Sequence, residues 1–273
     1  MSDTKPPLLI TSPTNPRIKT VVKLRQRSHR DELNITIVEG YRELRRAIDN
    51  KHPLQELFFC REMFQGTNED TLMQDAAAAG TELIECSPVV FTKLSYRDRP
   101  DGLLSTASQV HNNLSSLTCK ENPLVIVAES IEKPGNLGTI LRSADASKVD
   151  AVIVCDRCTD INNPNVVRAS IGTLFSVPVV ETSTEEALAW LKENNISLVA
   201  ATPHTDKSYW DIDMTSGTAI AVGTEQYGLS ETWLESADHK ISIPMLGQAD
   251  SLNVASATTI LLYEAVRQRT TSG

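Results

Sequence analysis

Three short segments of this chain combine a permissive backbone with side chains that can handle charge. The first, Glu132-Lys-Pro-Gly-Asn-Leu-Gly-Thr-Ile-Leu-Arg-Ser-Ala-Asp145, shapes a loop at Pro134 and Gly135 and places Asn136 to start a helix. Arg142 follows Asn136 at a spacing of about 1.7 helical turns, so the two side chains need not lie over one another. In the second, Ala221-Val-Gly-Thr-Glu-Gln-Tyr-Gly-Leu-Ser230, Gly223 lets a ligand approach the backbone and Glu225 offers a carboxylate. Gly228 tolerates positive φ there. The third pairs Ile241-Ser-Ile-Pro-Met245 with Asp250-Ser-Leu-Asn-Val-Ala-Ser-Ala257, and brings Ser251, Asn253 and exposed backbone groups to the opening of the last helix. Taken singly, Asn136 and Ser251 read as plain N-caps and Arg142 as half of an ion pair. Each segment nevertheless closes a strand-like run, and together they describe one site.

That site lacks the signatures of several common chemistries. No G-x-G-x-x-G follows the first strand of this half, and no G-x-x-x-x-G-K-[ST] occurs, so neither a dinucleotide fold nor an NTPase loop is supported. Cys155 and Cys158 form a lone C-x-x-C, short of the four ligands of a closed zinc site, so no metal is expected. No serine sits in a nucleophile elbow.

The elements that must position these residues fall into two α/β series. ITIVEG, LQELFFC, ELIECS and LLSTASQV read as strands between helical stretches such as YRELRRAIDN and an Ala-rich run ending at Gly80, with PVVFTKLSY a short segment among them. LVIVAES, VDAVIVC, ISLVAAT, TAIAVGT and HKISIPM are Val/Ile/Ala-rich without alternation, as parallel strands covered on both faces should be. NLGTILRSADASK and TEEALAWLKEN read as helices between them. A long amphipathic helix from about Ser251 to Arg269 offers Val254, Ala257, Leu261, Leu262 and Ala265 for burial. The expected division is residues 1–110, a polar linker at 111–122, and 123–273.

Net charge is −9 over 273 residues, yet the N-terminus carries Lys5, Arg17, Lys19, Lys23, Arg25, Arg27 and Arg30 against Asp3 alone. Asn15-Pro16 supplies a cap and first turn for a helix bearing Arg17, Lys19, Lys23 and Arg27, interleaved with Ile18, Val21, Val22 and Leu24. One face of it can pack while the other meets phosphates and releases counterions. No apolar stretch approaches the roughly 18 residues of a membrane span, and residues 1–10 lack a signal-peptide core. With five scattered cysteines, a reducing cytoplasm is the expected compartment.

From about Pro123 to Arg269 the chain closely resembles the SpoU (TrmH-like) RNA ribose 2′-O-methyltransferases, through N-L-G-x-x-x-R, G-x-E-x-x-G, and S-I-P-M with S-L-N-V. S-P-T-N-P-R-I-K and V-E-G-Y-R-E-L resemble the substrate-binding domain attached to many members. The resemblance implies a trefoil-knotted parallel-sheet domain following a smaller N-terminal α/β RNA-binding domain, and a homodimer with its active site at the subunit interface. It implies S-adenosylmethionine held by backbone at Gly223, Ile243 and Leu252, with Thr202 a further candidate. Arg142 would then serve catalysis, helped by Asn136, Glu225, Ser251 and Asn253, without metal or covalent intermediate. An arginine with a pKa above roughly 12 releases its proton very reluctantly, so holding the nucleotide and easing 2′-OH deprotonation suits it better than acting as base. The basic lead helix favours ribosomal RNA as substrate. A tRNA methyltransferase and a non-catalytic RNA-binding or ribosome-assembly factor on the same fold stay open as alternatives.

Overall fold

The computed structural model describes residues 7–271, which leaves Asp3 and Lys5 outside the described residues. The chain forms two compact units.

The first unit runs to Val110 and takes in Asn162–Ser176 as well. Its sheet has the order β1-β4-β3-β5-β2, built from β1 (Leu8–Ile10), β2 (Ile35–Glu39), β3 (Leu54–Phe59), β4 (Glu82–Cys86) and β5 (Leu103–Ser108). β1, β4 and β3 run parallel, while β5 is antiparallel to both β3 and β2. β1 is too short to read as a strand in the sequence, and PVVFTKLSY is a helix, Pro88–Leu94. The lead helix is Pro16–Lys23; Asn15 caps it by accepting the Arg17 N–H at 2.9 Å, with Pro16 in the first turn. Ile18, Val21 and Leu24 are buried beneath it, so the apolar face packs as its spacing predicts. The helix stops before Arg27, however, which opens a second short helix, Arg27–Leu33.

The linear division at residue 123 assigns Asn162–Ser176 to the second domain, whereas the segment packs within the first unit. The Asn162 amide explains why: its Oδ1 accepts the Val110 N–H at 2.7 Å and its Nδ2 donates to the Val110 carbonyl at 3.1 Å. Thr36 Oγ1 also donates to the Asn162 carbonyl at 2.6 Å. Partners so distant in sequence leave no local pattern.

The second unit comprises His111–Ile161 and Val177 onward. Its sheet is wholly parallel in the order β11-β9-β10-β6-β7-β8, from β6 (Leu124–Glu129), β7 (Ala151–Cys155), β8 (Val179–Thr182), β9 (Ser197–Ala201), β10 (Thr218–Val222) and β11 (His239–Ile241). Every residue of β6, β7 and β10 is buried, which accounts for their unalternating apolar composition. β8, only VVET, escapes that pattern. The chain steps outward from β6 to β7 and β8, then returns to build β9–β11 on the other side. Ligands in such sheets bind outside the carboxyl ends of the strands, near that reversal. The polar stretch expected as a linker contributes Leu114, Leu117 and Cys119 to the core packing of this unit. Among the described residues no helix is long and apolar enough to cross a membrane.

Candidate active site

The carboxyl ends of β9, β10 and β11 open into a cavity of about 370 Å³, within the roughly 300–1,000 Å³ typical of small-molecule sites. Thr202, Gly223, Ile243 and Leu252 all line it. Thr202 is tied to β11 by its N–H, which donates to the Ile241 carbonyl at 2.9 Å. Ile243 continues β11 into a segment held at Ser242, whose N–H donates to Lys207 O at 2.9 Å and whose carbonyl accepts the Tyr209 N–H at 3.0 Å. The final helix, Val254–Thr271, floors the cavity with Val254, Ala257 and Leu261. It starts three residues later than the sequence suggests, because Asn253 is its cap: Asn253 Oδ1 accepts the Ala255 N–H at 3.1 Å. Ala257, counted among the core residues of that helix, is only partly buried and faces the cavity instead.

The loop after β10 folds tightly on itself. Thr224 N–H donates to the Gly228 carbonyl at 2.9 Å and Gly228 N–H returns the bond to Thr224 at 3.1 Å. Gly228 sits at φ +70°, as its type allows. Gly223 has a different reason to be glycine from the one its sequence suggests. A Cβ there would lie 2.1 Å from the Gly228 oxygen, so the loop can close only over a glycine. At the exit of the loop, the buried Glu129 carboxylate at the end of β6 accepts the Ser230 N–H at 2.7 Å.

Glu225 joins the three motif segments. Its carboxylate accepts from Lys133 Nζ, from Asn136 Nδ2 at 3.0 Å and from Asn253 Nδ2, and Asn253 Nδ2 also reaches Asn136 Oδ1 at 3.1 Å. The Lys133 ammonium, then the Asn136 amide, hold the Glu225 carboxyl below the ordinary carboxylate range. Glu225 is therefore an anionic hub at neutral pH and not a proton donor. Asn136 lies in the third position of the helix Pro134–Ala146 rather than at its cap, which is Lys133. Lys133 has no role in the sequence reading; its place directly before Pro134-Gly135 in the first motif is the available signal.

Arg142 stands apart from this hub. It lies exposed on the helix Pro134–Ala146, with no hydrogen bond or ion pair to any described residue, so Glu225 does not orient it within this chain. Ser251 lines the cavity, and among the described residues its hydroxyl bonds only Asp250, at 3.5 Å. In the first unit, Lys19 and Lys23 are exposed without partners among the described residues, whereas Arg17 pairs with Glu82 at 2.8 Å and Arg27 with Asp31 at 3.3 Å.

A cleft outside the carboxyl ends of parallel strands, walled largely by backbone and apolar side chains, defines an α/β enzyme built to hold a nucleoside-like cofactor. The model of the SpoU rRNA Methylase family matches residues 123–263, and that of the MRM3-like substrate binding domain matches residues 15–105. The chain belongs to the SpoU rRNA methylase family, the S-adenosylmethionine-dependent RNA ribose 2′-O-methyltransferases that its motifs resemble, and has their trefoil-knotted parallel-sheet domain. A 23S rRNA (uridine(2479)-2′-O)-methyltransferase from Streptomyces viridochromogenes is 33% identical to it, over 90% of this chain and 87% of that protein. A solved RNA 2′-O ribose methyltransferase is 41% identical with a TM-score of 0.84, covering 96% of this chain and 100% of that one. The AdoMet-bound rRNA methyltransferase of Sinorhizobium meliloti is 30% identical with a TM-score of 0.87, covering 95% and 97%.

Proposed function

We propose that this chain transfers a methyl group from S-adenosylmethionine to a ribose 2′-hydroxyl of ribosomal RNA, inside the cell and as a homodimer. The observation that carries this reading is the convergence of all three motif segments on Glu225, at the lip of a cavity lined by Thr202, Gly223, Ile243 and Leu252. Those residues fit the cofactor. The cavity has the volume for an adenosine-sized group, Ile243, Leu252 and Leu261 offer apolar walls, and Thr202 with the neighbouring backbone offers polar atoms. Bound there, S-adenosylmethionine supplies an electrophilic methyl on a positively charged sulfur.

The protein supplies position and field. Thr202, Gly223, Ile243 and Leu252 hold the cofactor, while Glu225 ties the loop after β10 to the starts of two helices through Asn136 and Asn253. Holding reactants in a near-attack arrangement contributes several kcal/mol to such a transfer. Ser251 faces the same cavity and offers a hydroxyl to the ligand. Arg142 holds the reacting nucleotide and electrostatically eases deprotonation of its 2′-OH, a role for which guanidinium is better suited than for accepting a proton. Its exposure and its lack of partners among the described residues agree with service at a subunit interface. The 33%-identical relative is a 23S rRNA enzyme, and the domain match over residues 15–105 supports a large folded substrate. Lys19 and Lys23, with Arg17 and Arg27, supply the phosphate contacts of the first unit.

Mapping ribose methylation in total RNA from cells with and without the protein tests this. One ribosomal 2′-O-methyl mark should vanish with the gene. Loss confined to tRNA would move the substrate class, and no change at any ribose would refute the activity.

A further inference from the structure

The two hollows at the carboxyl edge of the second unit share the Glu225 loop, and their charges are uneven. Glu132, Glu225 and Asp250 are among the described residues that line them, and Lys133 is the only lysine or arginine there. A ribose reaching this lip brings its own phosphates toward three carboxylates. At about 0.15 M salt the screening length is roughly 8 Å, so groups sharing one lip remain coupled. Something at the lip must offset that repulsion.

Lys133 is placed to do so. It directly precedes Pro134 and caps the helix that carries Asn136 and Arg142. Its side chain is 66% exposed, and its ammonium pairs with Glu225. Exposed lysine–carboxylate pairs are weak because water screens them, so such a pair is easily exchanged. An ammonium has three donors, and one carboxylate need not occupy them all. Asn136 and Asn253 still hold Glu225 if the lysine turns outward. The cation can thus leave without dissolving the hub.

We propose that Lys133 contacts a phosphate of the RNA beside the acceptor ribose, and that Glu225 keeps it ready at the lip until RNA arrives. The inference rests on the methyltransferase reading and assigns Lys133 a role in substrate binding. Asn136, Glu225 and Asn253 then fix the loops whether or not RNA is present, and Lys133 is the member of the cluster that changes partner.

The experiment compares the full-length protein with Lys133→Ala and Lys133→Arg, on ribosomal RNA whose methylation by the unaltered protein has first been established. Initial rates give kcat and KM for RNA at several salt concentrations, and calorimetry gives the affinity for S-adenosylmethionine. Lys133→Ala should raise KM for RNA about fivefold or more, since losing one charged contact is a loss of that order. It should flatten the dependence of log affinity on log salt by about 0.7, the value for one single-strand phosphate. Cofactor affinity should not move, and Lys133→Arg should restore both KM and salt slope. If Lys133→Ala lowers kcat alone and leaves KM and slope unchanged, Lys133 merely orients Glu225 and the proposal is overturned. A failure of the unaltered protein to methylate any RNA would instead strike the underlying reading, before any variant is compared.

Discussion

Adding a single methyl group at Gly223 probes the site at its tightest point. In Gly223→Ala the new Cβ would stand 2.1 Å from the Gly228 oxygen, 2.2 Å from its carbonyl carbon and 2.4 Å from the Leu229 nitrogen. All three are backbone atoms, so no side chain can rotate away. Restoring an ordinary contact of about 3.4 Å or more requires the loop to retreat by roughly 1 Å, and overpacking of this kind costs about 1–3 kcal/mol. The retreat strains the reciprocal Thr224–Gly228 hydrogen bonds and drags Glu225 with it. Misplacement by about 1 Å can cost on the order of 100-fold in rate. The variant should therefore stay folded, melt several degrees lower, lose S-adenosylmethionine affinity and turn over roughly 100-fold more slowly. Gly228→Ala is the control, because nothing lies within 4 Å of its added Cβ and only the φ of +70° resists it. That resistance is worth about 1–2 kcal/mol, with a smaller loss of rate. Thermal melting, calorimetric cofactor binding and methyl transfer to RNA read the three effects. Full activity and unchanged cofactor affinity in Gly223→Ala would refute the reasoning.

Four further outcomes follow from the same geometry. Because its partners hold the Glu225 carboxyl below the usual range, the hub keeps its charge as pH falls through ordinary carboxylate values and loses it only at lower pH. The acid limb of the rate profile should thus not track an unperturbed glutamate, and Glu225→Gln should lower kcat while removing any acid limb that belongs to this group. Arg142→Lys and Arg142→Ala should both reduce turnover at saturating RNA; full turnover in both would make Arg142 a structural residue. Lys19→Ala with Lys23→Ala should flatten the salt dependence of RNA binding more than Arg17→Ala with Arg27→Ala, whose cations already face Glu82 and Asp31; equal slopes would contradict this. Trp233 is fully buried, with its indole N–H donating to Thr184 Oγ1 at 3.0 Å, so Trp233→Ala should destabilise the second unit by about 3–5 kcal/mol in denaturant unfolding.

The sequence was most readable where one local pattern carried one structural consequence. Unbroken apolar runs such as TAIAV marked buried parallel strands, and Asn15-Pro16 marked the start of a helix that the structure caps as expected. Thr202 was legible because it follows a strand, whereas Gly223, Ile243 and Leu252 came from the family resemblance; all four line the cavity. Reading became harder where the reason for a residue lay far along the chain. Asn162 belongs to the first unit because of Val110 and Thr36, 52 and 126 positions away. Lys133 drew no role because a lysine before Pro-Gly has no local signature, and its partner Glu225 is 92 positions away. The strands Leu8–Ile10 and Val179–Thr182 were too short for periodicity to register.

The central proposal is a cleft that presents a methyl donor to a ribose at the Glu225 lip. Its most direct test incubates purified protein with methyl-labelled S-adenosylmethionine and ribosomal RNA lacking its own modifications, then identifies the labelled nucleoside by mass spectrometry. Label on a single ribose 2′-oxygen, abolished in a protein carrying Gly223→Ala and Arg142→Ala together, is the result expected. Label on a base, or RNA left unlabelled by a protein that binds the donor, would contradict it.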